Sequence, residues 1–163
     1  IKHNLYLATL KDSLINITSF KDENIISGQA IHRFEFGISK GIFWSPSSNF
    51  IAFYQKDETD VAECPLLDIT TTPGSLKTTK YPMAGQKSEK ARIGVYDINT
   101  KKTIYLNTGK IDDHYLTNLT WGPNSKHIYV AELNRDQNHM KLIKYDAVTG
   151  NQIKVLFEEI LSA

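Results

Sequence analysis

The chain has 163 residues, a formal net charge of +1, 40% hydrophobic and 23% charged residues, a composition typical of a globular protein. This near-neutral charge, without a basic cluster, argues against a nucleic-acid or acidic-membrane surface. The apolar runs have strand length, so we predict no membrane-spanning segment, and no signal peptide is visible. Cys64 is the single cysteine, so no internal disulfide can form.

Runs rich in Ile, Val, Tyr, Phe and Thr alternate with turn residues, which predicts an all-β protein built from hairpins. Segment 21–36 is mixed and polar and is predicted to hold a short helix. Segment 64–70 fits a further strand, and 71–90 is predicted to be a long polar loop. The predicted hairpins, in chain order, pair 4–10 with 14–20, 41–44 with 50–55, 92–98 with 103–107, 116–121 with 127–133, and 140–146 with 152–157.

A repeat organises these hairpins into larger units. The sequences Trp44-Ser45-Pro46 and Trp121-Gly122-Pro123 each end one apolar strand and precede another. A strand ending in Tyr-Asp then follows in both units, at Tyr96 and at Tyr145. Because the two Trp residues are farther apart than the two Tyr residues, the first unit carries an insertion, which we place at 56–90.

Each unit is predicted to be a four-stranded antiparallel meander, at 41–107 and at 116–157, and 4–20 is predicted to end a preceding unit. Units of about 40–50 residues with this pattern are blades of a β-propeller. The predicted fold is therefore an all-β, partial β-propeller of about two and a half four-stranded antiparallel blades. Because a propeller closes with about 4–8 blades, we interpret 1–163 as a fragment whose open flanks need self-association or a partner.

The sequence contains no recognisable catalytic or metal-binding motif. It lacks a Gly-x-Ser-x-Gly elbow and a Gly-rich phosphate loop, and its histidines have no metal-ligand spacing, so we expect neither metal nor cofactor. Trp44 and Trp121 occupy equivalent positions and are expected in the core between blades. Glu35 lies between Phe34 and Phe36. It is either an exposed loop glutamate, the more common case, or a ligand for a cation such as a peptide's amino terminus.

The chain resembles the amino-terminal propeller of dipeptidyl peptidase IV over roughly 4–159, most closely in the Bacteroides group of bacteria. Seven segments carry the resemblance: Gly41-Ile42-Phe43-Trp44-Ser45-Pro46, Ile51-Ala52-Phe53-Tyr54, Cys64-Pro65-Leu66-Leu67, Tyr81-Pro82-Met83-Ala84-Gly85, Gly94-Val95-Tyr96-Asp97, 115–121 and 131–138. In that family a propeller of about eight blades precedes an α/β-hydrolase domain with a Ser-Asp-His triad. The resemblance implies a periplasmic or outer-membrane-associated serine exopeptidase that removes amino-terminal dipeptides with Pro or Ala second. This chain contains none of the hydrolase domain and is expected to be inactive alone.

The family binds the substrate's amino group with two adjacent Glu residues on a short helix just before the Trp strand. Here 31–37 reads Ile-His-Arg-Phe-Glu-Phe-Gly, and only Glu35 matches. The resemblance therefore implies Glu35 as a substrate-binding residue, with Arg33 as a second candidate, and leaves dipeptide and tripeptide release both open. It also implies that 56–90 forms an arm for homodimer contact. The remaining implied partners are a peptide with a free amino terminus and the hydrolase domain of the same polypeptide.

Two alternatives stay open. The first is a non-catalytic propeller scaffold that binds proteins, since the fold itself implies no function. A hydrolase domain with a Ser elbow encoded downstream would separate it from the exopeptidase. The second is a self-contained small β-sandwich, which the unequal repeat spacing and the missing flanks oppose.

Overall fold

The computed structural model describes residues 3–10, 13–110 and 114–161, without the side chains of Arg33 and Phe34. These residues form thirteen strands and one 3-10 helix, His32–Gly37, which confirms the all-β prediction. No helix in the described ranges is long and apolar enough to cross a bilayer. The strands are β1 (Tyr6–Ala8), β2 (Leu14–Asn16), β3 (Ile25–Ser27), β4 (Ile42–Trp44), β5 (Phe50–Asp57), β6 (Glu63–Asp68), β7 (Ser75–Lys80), β8 (Lys90–Asp97), β9 (Lys102–Tyr105), β10 (His114–Trp121), β11 (His127–Asn134), β12 (His139–Asp146) and β13 (Gln152–Ile160).

The strands form four antiparallel sheets. Strands β1 and β2 make the first hairpin, and β6 and β7 make a second two-stranded sheet, which we call the arm. In the five-stranded sheet, β5 pairs with both β3 and β4 on one side and with β8 on the other, and β9 follows β8. Strands β10 to β13 form the four-stranded sheet in sequential order. All five predicted hairpins are present, although the first is shorter than expected.

The five-stranded sheet is covered on both faces, because successive side chains of a strand point to opposite sides. From β5, Ala52 and Tyr54 belong to a core shared with the four-stranded sheet. Ile51 and Phe53 belong to a second core shared with the first hairpin. The three sheets are therefore stacked face to face in chain order, the arrangement expected of consecutive propeller blades.

The two repeated tryptophans have different surroundings. Trp121 stacks on Phe50, with ring centroids 6.0 Å apart, and its Nε1–H donates to the Phe43 carbonyl at 3.0 Å, so it joins two sheets as predicted. Trp44 is 51% exposed, so its predicted place in the core is wrong for this chain. Pairing with Ile51 directs Trp44 towards the first hairpin, and that hairpin covers Ile51 without covering Trp44.

The arm corrects the prediction of a long loop at 71–90. Within that range β7 pairs with β6 along its whole length. Nearly every side chain of β7 is exposed, so the strand has no buried face and its sequence has no apolar alternation to reveal it. The short helix predicted within 21–36 is present as the 3-10 helix, whereas β3 was not expected.

Candidate functional site

The candidate site lies on a segment that leaves the edge of the five-stranded sheet between β3 and β4. The Gly28 N–H donates to the Tyr54 carbonyl at 2.8 Å, and the Tyr54 N–H donates to the Gly41 carbonyl at 2.9 Å. Residues 29–40 therefore loop out from a single position of the sheet edge. A Cβ atom at Gly41 would lie 2.2 Å from the Gln29 carbonyl oxygen, so only glycine allows the two ends of this loop to lie side by side.

The 3-10 helix within this loop is held at its first residue, the buried His32. Its backbone N–H donates to Oε1 of Glu89 at 2.5 Å, and its ring Nε2 accepts the N–H of Leu116 at 3.1 Å. The ring also meets Tyr115 edge to face, with centroids 5.1 Å apart. The helix is thus attached at once to the five-stranded sheet, through Glu89, and to the four-stranded sheet, through Leu116.

The imidazole of His32 is neutral at physiological pH. Burial, with smaller contributions from His114 and Arg135, lowers its pKa from 6.5 to about 4. A neutral ring leaves the Nε2 lone pair free to accept the Leu116 N–H, whereas a protonated ring would have lost that acceptor.

Glu35 lies on the same short helix, three residues after His32, and is exposed. Its carboxylate makes no hydrogen bond or ion pair with any residue in the described part of the chain, while its carbonyl accepts the Ile38 N–H at 3.1 Å. The neighbouring Phe36 packs against Tyr115, with centroids 5.0 Å apart. One aromatic neighbour therefore anchors the helix while the carboxylate stays available. The side chain of Arg33 lies outside the described residues.

A buried ionic cluster lies at the base of the arm. Lys56 Nζ is 2.9 Å from Oε1 of Glu58 and 3.8 Å from Oε2 of Glu89, and the Glu89 side chain is 1% exposed. Buried charges persist only when they are paired, because water no longer stabilises them. Glu89 therefore links the cluster to the 3-10 helix, since its other oxygen accepts the His32 N–H.

A cavity of about 290 Å³ opens beside the first residue of the helix. Its walls combine a histidine pair with charged residues of both signs, and the Arg135 guanidinium lies 5.4 Å from the centre of the Tyr115 ring. This lining suits a polar or charged ligand rather than an apolar one. No group of three or more potential metal ligands occurs among the described residues. The side chains most relevant to the site are His32, Lys87, Glu89, His114, Tyr115 and Arg135.

The arm projects from the five-stranded sheet close to this cavity. At its base Asp60 lies 3.5 Å from Lys87 Nζ and 3.0 Å from Lys90 Nζ, which lowers the pKa of the Asp60 carboxyl. Beyond the base the arm exposes large apolar side chains on a two-stranded sheet, which is unusual for a solvated surface. These side chains are Leu66, Leu67, Ile69 and Leu76.

Sequence reasoning proposed Glu35 as a candidate site residue and did not propose Glu89 or His32. The two are 57 positions apart, and neither lies in a motif. Glu89 occurs in a polar stretch that has the composition of a solvated loop. Its burial depends on the return of the insertion to the sheet beside the helix, so no local pattern could have revealed it.

Comparison with solved structures supports the propeller interpretation. A crystal structure of a presumed dipeptidyl aminopeptidase IV from Bacteroides ovatus matches 90% of this chain with a TM-score of 0.83 and 48% identity, and the match covers 20% of that protein. Porphyromonas gingivalis dipeptidyl peptidase 4 matches 99% of the chain with a TM-score of 0.86 and 22% identity, covering 24% of its own chain. The predicted fold class, a partial propeller, is confirmed by these matches.

The sequence has curated relatives in fungi. It is 27% identical over 143 residues to a Tuber melanosporum protein named "Probable dipeptidyl-aminopeptidase B", and 25% identical over 174 positions to a Talaromyces marneffei protein of the same name. These matches cover 78% and 94% of this chain but only 16% and 19% of the relatives. The model of the dipeptidyl peptidase IV (DPP IV) N-terminal region matches residues 1–161. As predicted, the chain belongs to the dipeptidyl peptidase IV N-terminal region family.

Proposed function

We propose that this chain is the part of a serine exopeptidase that recognises the substrate's amino terminus. The parent enzyme removes amino-terminal dipeptides with Pro or Ala in the second position, and its catalytic domain lies outside this chain. Membership of the family and the 48% identity to the Bacteroides ovatus protein support this proposal.

The observation that carries the proposal is the state of Glu35. Its carboxylate is exposed and forms no hydrogen bond or ion pair within the described residues, yet the helix that bears it is attached to two sheets. Exposed loop glutamates are usually mobile, whereas this one is presented from a fixed backbone. A carboxylate on a fixed backbone, without an ion-pair partner among the described residues, is suited to a cationic ligand.

A peptide ammonium is the cation that this arrangement would select. It forms a charge-assisted hydrogen bond with a carboxylate, which is stronger than a neutral hydrogen bond. A blocked amino terminus carries no charge and gains nothing from Glu35. The position of the carboxylate relative to the nucleophile would also decide how many residues are released. Arg33 remains the second candidate for this binding site.

The test uses the full-length protein and chromogenic Xaa-Pro amides with free or acetylated amino termini. Glu35→Gln removes the charge and keeps the shape, and Glu63→Gln on the exposed arm is the matched control. We expect Glu35→Gln to lower kcat/KM for the free substrate by about ten-fold or more, equal to about 1.4 kcal/mol or more, and the control to have no effect. If wild-type protein ignores every such substrate, the non-catalytic scaffold becomes the better account. If Glu35→Gln cleaves like wild type, the exopeptidase stands without this site.

We further propose that the arm contacts a second copy of the protein. The support is its exposed apolar side chains, including Leu67 and Leu76 on paired positions of β6 and β7. Replacing both with Asp should shift the full-length protein from dimer to monomer in sedimentation equilibrium, because each charge would be buried in the contact. Thr79→Asp, exposed on the opposite face of the same strand, is the control. An unchanged mass for the double variant would refute the contact.

We also propose a bacterial, periplasmic or outer-membrane-associated location for the parent. The 48% identity to the Bacteroides ovatus protein supports the bacterial origin, and the location rests on the resemblance. Cell fractionation with antibodies against the protein tests it, and recovery in the cytoplasmic fraction would contradict it.

A further inference from the structure

We propose that Glu89 is a positioning residue for Glu35. It holds the backbone of the 3-10 helix so that the carboxylate meets the substrate's amino group. This inference rests on the proposed function, and nothing in the sequence pattern assigns Glu89 a role. Glu89 belongs to the insertion, immediately before β8, and so ties the base of the arm to the candidate site.

The geometry of His32 provides the first argument. Its φ of 52° lies in the left-handed region, which residues other than glycine adopt only at an energetic cost. Such a conformation persists only where its surroundings enforce it. The Glu89 carboxylate accepts the N–H of this strained residue at 2.5 Å, and Leu116 donates to its ring from the opposite sheet.

The length of the helix provides the second argument. It has six residues, and Glu35 lies three residues, a single 3-10 turn, beyond the point of attachment. A displacement of the His32 backbone therefore carries Glu35 with it, because only one short turn separates the two residues. A charge-assisted hydrogen bond depends on distance and angle, so the substrate's amino group would lose affinity.

The burial of Glu89 provides the third argument. Its side chain is 1% exposed and its other oxygen faces Lys56, which also pairs with Glu58. Rotation of the carboxylate away from the helix would break its hydrogen bond to the His32 N–H and its ion pair with Lys56. The acceptor for the His32 N–H is thus fixed relative to β5, the strand that carries Lys56.

Two variants of the full-length protein distinguish the effect of the length of the Glu89 side chain from the effect of its charge. Glu89→Gln keeps the reach of the side chain and offers a carbonyl acceptor, whereas Glu89→Asp keeps the charge and withdraws the acceptor. We expect Glu89→Asp to raise KM for free-amine Xaa-Pro amides by about ten-fold with kcat within about three-fold of wild type, and Glu89→Gln to stay near wild type. Glu63→Gln is the control. A purely structural role would lower the active fraction, and so kcat, without this KM difference.

Hydrogen exchange of the peptide covering 29–41 gives a second readout that needs no substrate. We expect faster exchange there in Glu89→Asp, unchanged exchange in Glu89→Gln, and unchanged exchange at β11 in both. If the proposed function is wrong, the wild-type protein will cleave free and acetylated substrates equally well or not at all. The exchange data then still decide whether Glu89 holds the helix. Equal KM values and equal exchange in wild type and Glu89→Asp would overturn the inference.

Discussion

Protonation of His32 should loosen the candidate site as the pH falls. The pKa of His32 in the folded protein is about 4, against 6.5 in the unfolded chain. Between these values the unfolded form binds more protons, so the stability of the attachment falls with pH and is fully lost below about pH 4. Burial, His114 and Arg135 all disfavour an imidazolium, the Leu116 N–H donates to the Nε2 lone pair, and the Tyr115 and Phe36 rings contact the imidazole edge to face.

The magnitude follows from the difference between the two pKa values. One pKa unit corresponds to about 1.4 kcal/mol, so the full window from pH 6.5 to 4 is worth about 3 kcal/mol. Part of this cost falls on the hydrogen bond between His32 and Leu116, because a protonated Nε2 cannot accept the Leu116 N–H. The free energy of local opening should therefore decrease by about 1.4 kcal/mol for each pH unit inside the window.

The assay is amide hydrogen exchange at Leu116 in the full-length protein from pH 7 to pH 4.5, corrected for the intrinsic pH dependence of exchange. His32→Gln is the matched variant, because its side-chain oxygen can accept the Leu116 N–H and does not titrate. We expect protection to fall with pH in wild type and to stay nearly level in His32→Gln. Parallel curves for the two proteins would refute the assigned protonation state and the role of Nε2.

Two further predictions concern the packing of the sheets, measured as the free energy of unfolding of the full-length protein by denaturant. Gly94→Ala should destabilise by about 1–3 kcal/mol, because the new Cβ would lie 2.3 Å from the Phe53 ring, whereas Gly74→Ala on the open arm should cost less than about 1 kcal/mol. Equal costs would show that Phe53 moves aside freely. Trp121→Phe should cost about 1 kcal/mol, since it keeps an aromatic ring and removes the hydrogen bond to the Phe43 carbonyl. No loss would mean that the indole N–H contributes nothing to joining the sheets.

The parts of the fold that could be predicted are those in which burial imposes a pattern. In β5 and β8 most side chains are buried and none is fully exposed, so each strand contains an apolar run that turn residues delimit. Strand β7 is exposed on both faces and buries no apolar side chain, so its sequence resembles a loop. Strand β3 has three residues, too few for any periodicity.

The site was predictable only in its most local feature. The carboxylate of Glu35 between two aromatic residues is visible in the sequence, and its proposed role comes from the resemblance. The attachment of the helix is not visible, because Glu89 and Leu116 are 57 and 84 positions away from His32. For Trp44 the sequence predicted a burial that the structure does not show. Its equivalence to Trp121 in the repeat predicts burial only if the neighbouring sheet covers the side chain.

The most direct test of the central claim is a crystal structure of the full-length protein with an Xaa-Pro dipeptide bound. We predict that the ligand's ammonium lies about 2.7–2.9 Å from a carboxylate oxygen of Glu35, the distance of a charge-assisted hydrogen bond. The same structure should retain the His32 N–H bond to Glu89. An ammonium paired with other residues, with Glu35 still facing solvent, would contradict the account.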